Sequence, residues 1–132
     1  MRILIVDDDY VSRTQLKALL SSYGDCDAVP DGELALQMIR RAREESVPYE
    51  LVTLDVEMPD MRGQEVLHRI RTWETENGIK PREEAKVLMV SALKDGKSIV
   101  TSFKEGCEAY LKKPVTAAKL REVLAEAGIR GQ

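Results

Sequence analysis

The chain has 132 residues, 43% of them hydrophobic and 33% charged, with a formal net charge of −3. That length suits one domain burying roughly two-thirds of its unfolded surface, so a core can form without disulfides or a structural metal. The balance excludes a basic nucleic-acid patch, no stretch reaches the length of an apolar membrane span, and Cys26 and Cys107 lack disulfide-framework or metal-ligand spacing.

The N-terminus enters a strand-like run at once, without a signal-peptide pattern, so a cytoplasmic protein with reduced thiols is expected. Ile3-Leu4-Ile5-Val6 forms that run and ends on Asp7-Asp8. Asp9 suits the N-cap of a first helix, on which Val11, Leu16, Leu19 and Leu20 recur at near-helical spacing before Tyr23-Gly24-Asp25 closes it. Residues 25–29 form a candidate edge strand, and Pro30-Asp31-Gly32 reads as a turn. Leu34, Leu36, Met38 and Ile39 mark a second helix that fades into Arg43-Glu44-Glu45 and stops at Val47-Pro48. Its arginines are answered by those glutamates and read as a solvated face.

Leu51-Val52-Thr53-Leu54 is the next apolar run, and it ends on Asp55. Residues 58–63 form a loop before a third helix with Val66, Leu67, Ile70 and Trp73 on one side and His68 at the surface. Asn77-Gly78 and Pro81 stop that helix, and residues 75–86 are expected to hold a helix extension and an exposed loop. Val87-Leu88-Met89-Val90 then runs into Ser91. Asp95-Gly96 precede a fourth helix whose periodicity points Ile99, Val100 and Phe103 inward, with Gly106 at its end. A weaker run, Ala109-Tyr110-Leu111, leads to Lys112-Lys113-Pro114, and residues 116–127 form a last helix capped by Thr116 and closed by Gly128.

Five strands alternating with five helices predict an α/β fold, a doubly wound parallel sheet. The near-continuous apolar character of the first, third and fourth strands fits burial on both faces. In such sheets ligands bind outside the carboxyl ends of the strands. Asp7, Asp8, Asp55, Ser91 and Lys113 all stand at such ends. Two like charges about 4 Å apart repel by about 4 kcal/mol at an effective dielectric of 20. A carboxylate cluster therefore needs a cation or raised pKa values. Oxygen-only donors favour a hard divalent ion, completed by water and a phosphate oxygen. Lys113 adds a point charge for phosphoryl oxygens, Ser91 adds a hydroxyl, and an aspartate can act as nucleophile to form an aspartyl-phosphate.

Four motifs carry a resemblance. They are Val6-Asp7-Asp8-Asp9, Asp55-Val56-Glu57-Met58-Pro59 with Gly63, Val90-Ser91-Ala92, and Tyr110-Leu111-Lys112-Lys113-Pro114. Together, in this order, they resemble the receiver domain of two-component response regulators, the CheY-like family, across nearly the whole chain. The resemblance implies one receiver domain over residues 1–132 with strand order 2-1-3-4-5 and five helices, the flavodoxin-like arrangement. It implies Asp55 as phosphoacceptor and Mg2+ as cofactor, with Mn2+ able to substitute. Asp8 and Asp55 would ligate the ion directly, Asp7 through water, and Glu57 by its backbone carbonyl. Lys113, Ser91 and the backbone N–H of Ala92 would contact the phosphoryl group. Ser91 and Tyr110 would form the switch, and a cis bond before Pro114 is expected. Lys113, beside the proline, is preferred over Lys112. Glu57 and Leu93 occupy positions that tune phosphoryl lifetime.

The function so implied is a phosphorylation-operated switch, not an enzyme beyond self-phosphorylation and autodephosphorylation. The donor would be a sensor histidine kinase or a histidine phosphotransfer protein. Output would pass through the face of the fourth helix, fifth strand and fifth helix, with Ile99, Phe103, Lys104 and Tyr110 contributing, to a downstream protein or a phosphorylation-dependent homodimer. Neither nucleic acid nor membrane is expected as a direct partner. The competing classes are a degenerate receiver working as a phosphorylation-independent interaction module, and an aspartate-nucleophile phosphatase. The end of the chain shortly after Gly128 favours a stand-alone regulator over an excised receiver.

Overall fold

The computed structural model describes residues 1–92 and 96–129. Its five strands are β1 (Arg2–Val6), β2 (Asp25–Val29), β3 (Leu51–Asp55), β4 (Lys86–Ser91) and β5 (Ala109–Lys112). They form one sheet, all neighbours parallel, in the order β2-β1-β3-β4-β5. Five α-helices connect and cover it: α1 (Tyr10–Leu20), α2 (Gly32–Glu44), α3 (Gly63–Glu76), α4 (Gly96–Lys104) and α5 (Ala117–Glu126).

Alternation along the strands divides the core into two layers. Leu4, Val6, Val52, Leu54, Val87 and Met89 pack with α2 and α3. Ile3, Ile5, Leu51, Leu88, Val90 and Leu111 pack on the other face with α1 and α5. The two central strands, β1 and β3, are buried along almost their whole length, as their unbroken apolar runs require.

The local signals placed most boundaries. Asp9 and Thr116 cap α1 and α5 by accepting from Ser12 and Lys119 N–H groups, and residues 25–29 are the edge strand β2. The Lys113–Pro114 bond is cis. Pro30-Asp31-Gly32 opens a helix rather than only a turn, because the Asp31 side chain accepts from the Leu34 N–H. The connection after α3 holds a 3-10 turn at Pro81–Glu83.

Helix α4 departs from expectation. Its buried residues are Ser98 and Ser102, whereas Val100 and Phe103 are 53% and 48% exposed and Ile99 is half-buried. The inward face of α4 is polar because the Gln64 side chain from α3 meets it there. Val11 and Leu34, placed in apolar stripes by spacing, are also exposed. They stand in the first turns of α1 and α2, near the ends of their helices.

Candidate functional site

The strand register builds the site. Val6 pairs with Leu54, so Asp7 and Asp55 leave β1 and β3 side by side. Asp55 pairs with Val90, and Ser91 with Lys112. Ser91 therefore lies one step beyond Asp55, and Lys113 one step beyond the partner of Ser91. The Lys113 N–H donates to the Ser91 carbonyl at 2.9 Å, which fixes the chain where the lysine turns back over the sheet edge.

Asp7 is buried and doubly engaged. Its Oδ1 accepts from the Asp9 N–H at 2.9 Å and its Oδ2 from Lys113 Nζ at 2.8 Å. Asp55 is buried too. Its Oδ1 accepts from the Glu57 N–H at 3.3 Å, and its Oδ2 lies 3.6 Å from Lys113 Nζ. Asp8 is exposed, and it offers a carboxylate oxygen that lies with those of Asp7 and Asp55 inside a 4.8 Å span. Ser91 is fully buried and Ala92 exposed. Glu57 points its side chain to solvent. Lys112, the last residue of β5, is exposed. His68 stands mid-way along α3, exposed and paired with Glu105. Leu93 and Asp95 lie outside the described residues.

The electrostatics follow from crowding. Burial, and then the neighbouring Asp7 charge, push Asp55 up to about 7, against the pull of the Lys113 ammonium. Burial works against the charge on Lys113, but the hydrogen bond to Asp7 and the charges of Asp55 and Asp7 outweigh it and raise its pKa. The Ser12 N–H holds the Asp9 carboxyl below its ordinary value, as befits a cap.

Three converging carboxylates and one ammonium leave unbalanced negative charge at this edge. A hard divalent ion fits the oxygen-only set, and its charge would reverse the upward push on Asp55. The same edge offers a carboxylate nucleophile beside a cation, the two groups that phosphoryl transfer asks of a protein.

Two residues support the site: Arg13, which carried no sequence signal, and Gly63, which the sequence offered only as part of a motif. Arg13 Nη1 donates to the Asp7 carbonyl at 2.8 Å, pinning the end of β1 to α1. Gly63 presses against the Asp55 carbonyl: a Cβ there would stand 2.2 Å from that oxygen, so no larger residue fits. An open groove of about 430 Å3, lined by Asp9, Ser12, Gln15, Lys113, Pro114 and Val115, lies between α1 and the turn after β5.

Comparison with known proteins agrees with this geometry. The chain is 32% identical over 127 residues to the chemotaxis protein CheY of Listeria monocytogenes, covering 96% of this chain and 98% of that one. It is 32% identical to part of the sensory/regulatory protein RpfC of Xanthomonas campestris, over 98% of this chain but 17% of RpfC. A CheY-like response regulator receiver domain from Methanospirillum hungatei superposes with a TM-score of 0.76 at 28% identity, covering 95% and 90% of the two chains. The family model for the response regulator receiver domain matches residues 3–125, from the first strand into the last helix. A sheet of this order, acids at these strand ends and that match converge: the chain belongs to the response regulator receiver domain family.

Proposed function

We propose that the chain is a single receiver domain whose Asp55 takes a phosphoryl group from a sensor histidine kinase or a histidine phosphotransfer protein. The observation that carries this reading is the meeting of Asp55 with Asp7, Asp8 and Lys113 at one sheet edge. An Asp55 carboxylate oxygen attacks phosphorus in line, the new P–O bond forms as the P–N bond to the donor imidazole breaks, and the imidazole leaves with that electron pair. Lys113 offsets charge on the phosphoryl oxygens as a point cation.

Asp8 and Asp55 would hold Mg2+ or Mn2+ directly, Asp7 through water, and Glu57 through its backbone carbonyl. When bound, the ion neutralises charge on the carboxylates and phosphoryl oxygens.

The phosphoryl group carries about −1.5 to −2 charges and replaces the single charge of the Asp55 carboxylate. The Ser91 hydroxyl and the Ala92 N–H would meet it. Tyr110 packs against the core layer beneath α4, its hydroxyl buried without a partner among the described residues. That position supports a switch in which Ser91 and Tyr110 move together and repack the face of α4, β5 and α5. A downstream protein or a second copy of the chain then reads that face. Among the described residues no helix is long and apolar enough to cross a membrane, and we place the switch in the cytoplasm, with turnover limited to self-phosphorylation and autodephosphorylation.

Incubation with acetyl phosphate and Mg2+ tests this reading by intact mass. The expected result is a gain of one phosphoryl group, abolished by EDTA and by Asp55→Asn. Failure of the wild-type chain to gain that mass from acetyl phosphate, phosphoramidate or a phosphorylated kinase overturns it.

A further inference from the structure

Helix α4 is held by unusual means. A surface helix ordinarily buries its apolar stripe. Here Val100 and Phe103 face out, and the inward residues are Ser98 and Ser102. Gln64, the second residue of α3, occupies the gap beneath them. Its Nε2 donates to the Ser98 carbonyl at 3.1 Å and to the Ser98 and Ser102 hydroxyls at 3.0 and 3.3 Å. The Ser102 hydroxyl in turn donates to the Ser98 carbonyl at 2.9 Å. Only the amide NH2 can face that carbonyl, since two acceptors would repel. The Gln64 Oε1 turns instead toward Arg62 Nε, 3.4 Å away.

The far end of α4 is fixed separately. Arg71 donates from Nε and Nη2 to the Gly106 carbonyl at 3.1 and 2.9 Å, and His68 Nδ1 meets Glu105 Oε2 at 2.7 Å. The Gln64 amide therefore meets the buried side of α4 by hydrogen bonds at both Ser98 and Ser102. Such bonds are directional, so a small shift of the donor weakens all of them together.

Gln64 also stands next to the acceptor. Its neighbour Gly63 packs its Cα onto the Asp55 carbonyl and donates its N–H to the Val56 carbonyl at 3.0 Å. A movement of the Asp55 backbone therefore meets no soft side chain before it reaches the start of α3.

We propose that Gln64 is a positioning residue that couples the acceptor strand to α4. A contact runs from Asp55 through Gly63 and the Gln64 amide to the Ser98–Ser102 face, separate from the strand ends that carry Ser91 and Tyr110. This rests on the reading of Asp55 as phosphoacceptor. The coupling is reciprocal, so whatever binds the Val100–Phe103 side of α4 changes the ease of modifying Asp55 through the same amide.

The test compares wild type, Gln64→Glu and Gln64→Leu by intact mass and by hydrogen exchange of residues 96–104, with and without acetyl phosphate and Mg2+. Gln64→Leu removes the donors without adding charge, and Gln64→Glu keeps the volume but sets a carboxylate against the Ser98 carbonyl, so only a response lost in both variants marks the donors. The expected result is a mass gain in all three proteins and exchange about tenfold faster across α4 in both unmodified variants. The change in α4 exchange on modification, present in wild type, is lost in both variants. Thermal unfolding confirms that the variants are folded. A Gln64→Glu or Gln64→Leu protein whose α4 responds like wild type overturns the coupling while leaving the acceptor reading intact. A wild-type protein that gains no mass overturns both.

Discussion

Lys113 gives its hydrogen bond to Asp7, at 2.8 Å, while its ammonium stays 3.6 Å from Asp55. One cation thus serves two carboxylates unequally, and the closer one is not the proposed nucleophile. A phosphoryl group arriving on Asp55 competes with Asp7 for this ammonium. Replacing Lys113 with Met removes that charge and leaves the acids without their cation. We expect phosphorylation by acetyl phosphate to slow by about a hundredfold, the scale for losing one fixed donor to developing charge. Initial rates from intact mass check this, and a Lys113→Met protein as fast as wild type contradicts the role.

Burial and Asp7 push Asp55 up to about 7, and only its ionised form is a nucleophile. The self-phosphorylation rate at limiting Mg2+ should therefore rise with pH and level off above about 7. Saturating Mg2+ favours the carboxylate, so the midpoint should move to lower pH. A rate–pH profile at two Mg2+ concentrations, with no shift between them, would count against ion binding at these carboxylates.

The same push has a stability consequence. A carboxyl whose folded pKa is raised holds its proton more tightly folded than unfolded, so stability falls as pH rises from its ordinary value of 3.8 to about 7. Asp55→Asn removes that loss. Without divalent ion the variant should match wild type below pH about 4 and exceed it above pH about 7, by on the order of 1–2 kcal/mol because Lys113 already offsets part of the repulsion. Mg2+ should stabilise wild type in proportion to occupancy and Asp55→Asn less. Urea unfolding across pH, with and without Mg2+, measures both differences.

Ser46 closes α2 in the left-handed region, with φ of 62°. Its N–H reaches the Arg43 carbonyl at 3.1 Å and the Val47 N–H reaches the Ala42 carbonyl at 2.9 Å, a pattern usually built on glycine. Ser46→Gly should stabilise the fold by about 0.5–1 kcal/mol, the left-handed strain relieved outweighing the added freedom of the unfolded chain. A melting temperature equal to or below wild type would refute this.

Glu74 is 1% exposed on α3 and binds Arg71 Nη1 at 2.8 Å and the Ala85 N–H at 2.8 Å. Arg71 also reaches the carbonyls of Ala85 and Gly106 and the carboxylate of Glu108. Glu74→Ala leaves the arginine without its buried partner and the Ala85 N–H without an acceptor. The expected loss is about 3–4 kcal/mol. Glu74→Gln, which keeps an acceptor, should lose less, and chemical denaturation of the pair resolves the difference.

Much of the site was legible because strand ends announce themselves. Ile3-Leu4-Ile5-Val6 and Leu51-Val52-Thr53-Leu54 have no polar face to offer water, so both faces must be covered, and the aspartates that follow fall where the sheet stops. Caps were legible for a similar reason: Asp9 and Thr116 satisfy N–H groups only three residues away. The face of α4 was not legible. Ser98 and Ser102 read as solvent residues, and nothing within α4 reveals that a glutamine 34 and 38 residues earlier will meet them. Glu74 and Arg71 were hidden in the same way. Each reads as surface charge until the turn at Gly106 and the start of β4 close over them.

The chain itself determined its strands, its caps and the gathering of Asp7, Asp8, Asp55, Ser91 and Lys113, because these follow from local periodicity and from the rule that parallel strands end together. Only the tertiary structure decided that Lys113 leans to Asp7, that burial lifts Asp55, and that α4 turns serines inward. Those outcomes depend on distances of a few ångströms between residues remote in sequence, where the choice of hydrogen-bond partner and the loss of water set the energy.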